Sequence, residues 1–221
     1  MRKHVLSLYA LAALGIVGLI VLVHNYPLSS FDFYITHEIQ EIKMGNFMSL
    51  MAFISLFGDF GIMPISVIFA FLILYVNHYH REARFSLLVL IADTLNVLVK
   101  LLVNRPRPTV EDAIIMLKFN YPAFPSGHVV HYVVFFGFLI AVMVVNKKIR
   151  LLYRIVISIF SAVLIFGVSV SRIYLGAHWA TDVLGAYLFG FVYLGIILTF
   201  YLKDHIKHHG RDPEKLGISH H

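Results

Sequence analysis

Six side chains that can hold an anion or move a proton recur at fixed spacings in three short stretches. Lys100, Arg107 and Pro108 form K-x6-R-P. Pro125, Ser126, Gly127 and His128 form P-S-G-H. Ser171, Arg172, His178 and Asp182 form S-R-x5-H-x3-D. Three cations, two imidazoles and one carboxylate thus lie at or near the ends of long apolar segments. An Arg or Lys at the centre of a membrane helix costs about 2.5–3.5 kcal/mol on insertion scales, so such groups need a partner or a task. Together they suit a phosphate, with cations to hold it, one histidine to attack it and one to act as an acid.

His178 and Asp182 are four residues apart, which on a helix puts both on one face. The carboxylate can then accept from one ring nitrogen, fix the tautomer and leave the other nitrogen as a nucleophile. A buried His–Asp pair that serves only packing has the same spacing. Arg172, six residues earlier, favours chemistry because its planar fork suits bidentate phosphate binding. Pro125-Ser126-Gly127 reads as a helix start, where Ser126 can cap, Gly127 permits close backbone approach and the first N–H groups attract an anion. His128 in that first turn could protonate a leaving oxygen, a contribution of about 100- to 10,000-fold. It could equally be an interfacial cap residue.

Lys100 and Arg107 are two turns apart and face one site if the helix runs on, although Pro106 and Pro108 restrict it. Asp93 and Asn96 share the Lys100 face. Asp93 could neutralise Lys100 or form a polar bridge between helices, and the bridge is the expectation. Arg105 is expected to be solvated and not a ligand.

The elements that must position these residues are membrane helices. The chain has 221 residues, is 59% apolar and 14% charged, and has a mean hydropathy of +0.81. These values exclude an ordinary soluble domain. There is no cysteine, which removes disulfides and Cys-ligated metal centres. The net charge of +6 sits mostly in short loops beside apolar spans. Topology explains it, and no nucleic-acid partner is expected.

Apolar stretches of spanning length occupy about 5–23, 61–76, 84–103, 128–145, 152–170 and 179–202. The expected fold is therefore all-α, a bundle of six transmembrane helices in one domain, 1–221. The first stretch reads as a retained anchor, because it is long for a signal sequence and lacks a small-residue cleavage site. Residues 28–46 repeat Phe31, Tyr34, Ile35, Ile39 and Ile42 at helical spacing, with Asp32, Glu38 and Glu41 off that stripe and Ser29 or Ser30 as cap. This predicts an interfacial amphipathic helix between the first two spans, or a connecting helix packed on the bundle. Gly58-Asp59-Phe60-Gly61 breaks the apolar run that starts at Met48, and Pro64 suits a helix first turn.

Six spans put Arg2, Lys3, Arg81, Arg84, Lys147, Lys148, Arg150, Arg154, Lys203, Lys207, Arg211 and Lys215 on one side. By the positive-inside rule, both termini are then cytoplasmic in a multi-pass plasma-membrane protein. Lys43, Arg105 and Lys118 remain on the other side with all three motifs, so the site is expected on the extracytoplasmic face. Lys118 is expected to be solvated. His205, His208, His209, His220 and His221 could bind a metal, but a solvated tail, its terminal pair a tag remnant, is expected.

The three motifs together, 100–182, resemble those of the type 2 phosphatidic acid phosphatase superfamily, without a departure. The resemblance implies His178 as nucleophile, Asp182 as its partner and His128 as acid. It implies Lys100, Arg107, Ser126, Gly127 and Arg172 as phosphate ligands, with no metal and no cofactor. The short loops and bare helical body look most like the bacterial lipid phosphatases, which act on phosphatidylglycerophosphate, phosphatidic acid or undecaprenyl diphosphate. The expected partners are then a lipid phosphate and the bilayer itself. Two other classes compete. An anion or lipid transporter would use the same cations without hydrolysis, but the charges cluster at one face and no inverted repeat is evident. An inactive lipid-binding scaffold would not need His128, His178 and Asp182 intact. Tyr121, Phe124, Tyr174 and Trp179 are aromatic neighbours that could line a lipid path or form an ordinary interfacial belt.

Overall fold

The computed structural model describes residues 2–42, 45–117 and 120–209, with side chains from 7 to 203 within those ranges. Lys43, Lys118 and the side chains of the basic and histidine-rich ends, Arg2 and Lys3 at one and His205 to His221 at the other, lie outside the described residues.

All regular structure among the described residues is helical. The order is α1 (Arg2–Asn25), α2 (Ser30–Gln40), α3 (Phe47–Ser55), a 3-10 turn (Leu56–Gly58), α4 (Ile62–Val76), α5 (His80–Ser86), α6 (Leu88–Val103), α7 (Gly127–Val145), α8 (Leu151–Tyr174) and α9 (Ala180–His209). Among the described residues, five segments are long and apolar enough to cross a membrane: Ser7–Asn25, His80–Val103, Gly127–Val145, Leu151–Tyr174 and Ala180–Lys203. A sixth arises if α3 with its 3-10 turn and α4, bent by 66°, form one span. The bend falls at Gly58-Asp59-Phe60-Gly61, where two glycines and a carboxylate interrupt the apolar run. It explains why the second stretch looked short in sequence.

The central element is α7. Within its span 67% of residues are buried, against 6% for α1 and 17% for α8. That suits a helix that is apolar all round. It packs against α6, α8 and α9 and against the 3-10 turn, while α1 lies on α9. Large apolar side chains left on the outside, such as Leu11, Phe69, Leu102, Ile159 and Phe166, suit contact with lipid.

Local signals end each helix near one site. Asn104 adopts a left-handed conformation, φ +48°, and its N–H bonds to the Lys100 carbonyl, closing α6 before Pro106 and Pro108. Helix α8 ends at Tyr174, two residues after Arg172, and Gly176 at φ +68° turns the chain towards α9. Trp179 precedes α9, and its N–H is accepted by Asp182 Oδ2 at 2.9 Å. That contact is half of a capping box.

Helix α2 differs from the amphipathic expectation in which face turns inward. Ile35, Ile39 and Ile42 do pack towards the core, and Ser29 caps the helix through the Asp32 N–H. Yet Asp32, Thr36 and Gln40 are the buried positions, while Phe31 and Tyr34 are exposed. Gln40 bonds the backbone of Ile114 and the carbonyl of Tyr174. The helix is thus pinned to the bundle through polar groups.

Gly185 on α9 lets the fully buried ring of Phe124 sit against the helix backbone. A Cβ there would stand 2.3 Å from Phe124 Cε2. Gly185→Ala should therefore cost about 1–3 kcal/mol by overpacking, measured as a lower thermal midpoint in detergent. An unchanged midpoint would show that Phe124 moves freely.

Candidate active site

The three motifs converge at one end of the bundle, where α6, α7, α8 and α9 begin or end. His178 lies just before α9, not on it, so its relation to Asp182 spans the helix start. Its ring is 1% exposed. Nδ1 stands 3.5 Å from Asp182 Oδ2, too long for a hydrogen bond. Nε2 stands 3.3 Å from an Arg107 guanidinium nitrogen. A guanidinium has no acceptor, so that contact requires the lone pair on Nε2 and the proton on Nδ1, facing the carboxylate. Burial chiefly, then the facing charges of Arg107, Lys100, Arg172 and His128, pushes His178 well below the usual histidine range. Lowered in this way, the ring is neutral at neutral pH.

The cations come from three elements. Arg107 follows the end of α6, so the extended-helix route considered for it does not apply. A loop carries it back to donate to the carbonyls of Tyr121 at 2.6 Å and Ala177 at 2.5 Å. Burial lowers it to about 10, with Asp182 opposing, so it stays charged at neutral pH. Lys100, buried on α6, donates to the carbonyls of Pro122 and Ala123, each at 3.0 Å. Arg172, fully buried on α8, donates to Ser55 Oγ of α3.

The P-S-G-H stretch starts α7, with Ser126 in the cap position. The expected side-chain cap is not made. Ser126 Oγ is buried and makes no hydrogen bond among the described residues, which leaves it for a ligand. Gly127 packs beside Asn96 and Lys100. His128 Nε2 lies 3.1 Å from Asp59 Oδ1, at the bend between α3 and α4. Asp93 meets His131 Nδ1 on α7 at 2.9 Å, so it bridges α6 and α7 as expected of a polar interhelical pair. No group of three or more His, Cys, Asp or Glu that could hold a metal occurs among the described residues.

Four contributors escaped sequence reasoning: Asp59, Ser55, Asp32 and Arg105. Arg105, expected to be solvated, is 2% exposed. It pairs with Asp182 at 2.5 Å and with Asp32 of α2 at 2.7 Å. The physical reason is that Asp182 and Asp32 face the same buried space and need a cation there. Only the carboxylate placed at the break in the apolar run offered a signal, for Asp59.

With this geometry in hand, comparison with known proteins gives a consistent result. The sequence pattern of the PAP2 superfamily matches residues 81–206, more than half of the chain, and the chain belongs to that superfamily. It is similar in fold to a crystal structure of the first transmembrane PAP2 type phosphatidylglycerolphosphate phosphatase from Bacillus subtilis. The TM-score is 0.75 at 22% identity, covering 88% of this chain and 96% of that one. It is also similar to LpxE of Aquifex aeolicus, with a TM-score of 0.62 at 20% identity over 77% of this chain and 96% of that one. No match was found among curated proteins. With its several apolar helices, the chain is a multi-pass membrane protein.

A Cβ at position 58 would stand 2.4 Å from His128 Cδ2. Gly58→Ala should push that ring aside and lower turnover about 100-fold, beyond the drop in thermal midpoint that overpacking at this buried position brings. Steady-state assay beside a melting curve checks it. Full activity in this variant would show that the position of His128 is not critical.

Proposed function

We propose that the chain is a membrane lipid phosphatase that removes the terminal phosphate of a lipid phosphate or diphosphate through a phosphohistidine. The observation that carries the reading is the buried His178, its Nε2 turned to Arg107 and its Nδ1 backed by Asp182. Lys100, Arg107 and Arg172, with Ser126 Oγ and the first N–H groups of α7, would hold the phosphate oxygens as charge spreads over them. Nε2 attacks phosphorus in line, the N–P bond forms and the bond to the leaving oxygen breaks. His128 gives that oxygen a proton. The phosphorylated ring, still carrying its Nδ1 proton, is cationic and is met by Asp182. Water, deprotonated by His128, then attacks phosphorus and returns the electron pair to Nε2. The side-chain cations supply the electrostatic role, so the reaction needs no metal.

The same reading takes residues 1–221 as one integral-membrane domain of six spans, the bent α3–α4 pair being one of them. Arg81, Arg84, Lys147, Lys148, Arg150, Arg154 and Lys203 support a cytoplasmic face opposite the site, and hence an extracytoplasmic active site. Helix α2, with Phe31 and Tyr34 outward, would lie at the headgroup level. Placement at helix ends suits a lipid arriving sideways. Phosphatidylglycerophosphate, phosphatidic acid and undecaprenyl diphosphate are the substrates to compare.

Purified protein in detergent with a chelator should release inorganic phosphate from at least one of these lipids, and His178→Ala should cut release at least about 1,000-fold. Undiminished turnover in that variant would remove the nucleophile, and full dependence on magnesium would contradict the metal-free mechanism. Because the folded environment lowers His178, the acid limb that it contributes to kcat/KM should lie below the free-imidazole value of 6.5. A limb above that value would contradict the burial argument.

A further inference from the structure

Arg105 stands outside the mechanism just described, yet it is among the most completely satisfied side chains at the site. Nε and one terminal nitrogen donate to the Pro27 carbonyl, at 3.1 and 2.9 Å. That terminal nitrogen also reaches Asp32 Oδ2 at 2.7 Å. The other donates to Thr181 Oγ1 at 2.7 Å and to Asp182 Oδ1 at 2.5 Å. These contacts engage all five N–H groups of the fork. Asp32 is just as fully held. It accepts from Ser29 Oγ, from the Thr181 N–H at 2.8 Å and from Thr181 Oγ1. A carboxylate from α2, a threonine from α9 and a cation from the loop after α6 thus form one buried cluster behind Asp182.

The charge of that cluster matters for the ring in front of it. Arg105 paired with Asp182 alone would be neutral, and Asp182 would attract a cationic imidazole only weakly. Asp32 takes the other edge of the guanidinium, so two carboxylates share one cation. The cluster keeps a net negative charge behind His178 Nδ1, where positive charge appears as the N–P bond forms. Solvent screens it little, because Asp32, Arg105 and Asp182 are all at most 2% exposed.

We infer that Arg105, Asp32 and Thr181 are positioning residues for the reaction, holding Asp182 in place behind His178 and keeping the cluster anionic as the ring becomes a cation. The inference rests on the phosphatase reading and gives α2 a part in the chemistry through Asp32.

The test separates chemistry from phosphate binding. Asp32→Asn keeps the size and shape of the side chain but removes the second negative charge and one of its two acceptor oxygens. In full-length protein in detergent, kcat on a lipid phosphate should fall about 10- to 100-fold. KM, and the inhibition constant of inorganic phosphate, should stay within about twofold, because Lys100, Arg107 and Arg172 are untouched. Arg105→Lys should show the same split and no rescue, since an ammonium cannot span both carboxylates and the Pro27 carbonyl. If Asp32→Asn does not fold, Thr181→Val removes the hydroxyl between Arg105 and Asp32 and should show the same split. Unchanged kcat in a folded variant, or equal losses in kcat and phosphate binding, would overturn the inference. Wild-type protein that turns over no lipid phosphate would overturn the phosphatase reading as well.

Discussion

Charge buried at the end of an apolar bundle is the constraint that organises this protein. Lys100, Arg105 and Arg172 are nearly inaccessible, and Arg107 is only partly exposed. Each needs oxygen partners at a depth where water is scarce. Regular helix interiors cannot supply them, because their carbonyls are already engaged. The chain supplies them by ending or breaking helices at this level. Pro27, Tyr121, Pro122, Ala123 and Ala177, all outside helices, give carbonyls to Lys100, Arg105 and Arg107. Removing one partner from a buried ion pair such as Arg105–Asp32 typically costs about 3–5 kcal/mol.

That constraint explains features that seem unrelated in the fold. The bend between α3 and α4 brings Asp59 to His128, and α3 delivers Ser55 to Arg172. Ser171 fastens α8 to the Met51 carbonyl, and Tyr132 fastens α7 to that of Ile54. Helix α2 turns its polar side inward because Asp32 and Gln40 are needed there. Apolar burial still holds the bundle together lower down, around α7. At the site end, polar complementarity decides which segment goes where.

Much of the candidate site is legible in the sequence, because its motifs are local. Lys100, Arg107, Ser126, Gly127, His128, Arg172, His178 and Asp182 each stand in a short pattern whose residue types name a chemistry. The helices were legible through apolar length, and the interruption at 58–61 through its glycines. Arg105 was not legible. Its partner Asp32 is 73 residues away, and nothing local distinguishes it from a solvated arginine beside a proline. Periodicity placed Ile35, Ile39 and Ile42 correctly towards the core, but it assigned Asp32 to the outside because it has no knowledge of a waiting cation. The capping role expected of Ser126 is not realised, since its hydroxyl makes no bond to its own helix.

The central claim is that His178 carries the phosphate in mid-reaction. Rapid quenching of wild-type protein with a lipid labelled in its terminal phosphate, followed by digestion under alkaline conditions and peptide mapping, tests it directly. The account predicts a transient label, acid-labile and confined to the peptide that contains His178. Label on another residue, or rapid phosphate release with no labelled protein at any time point, would contradict it.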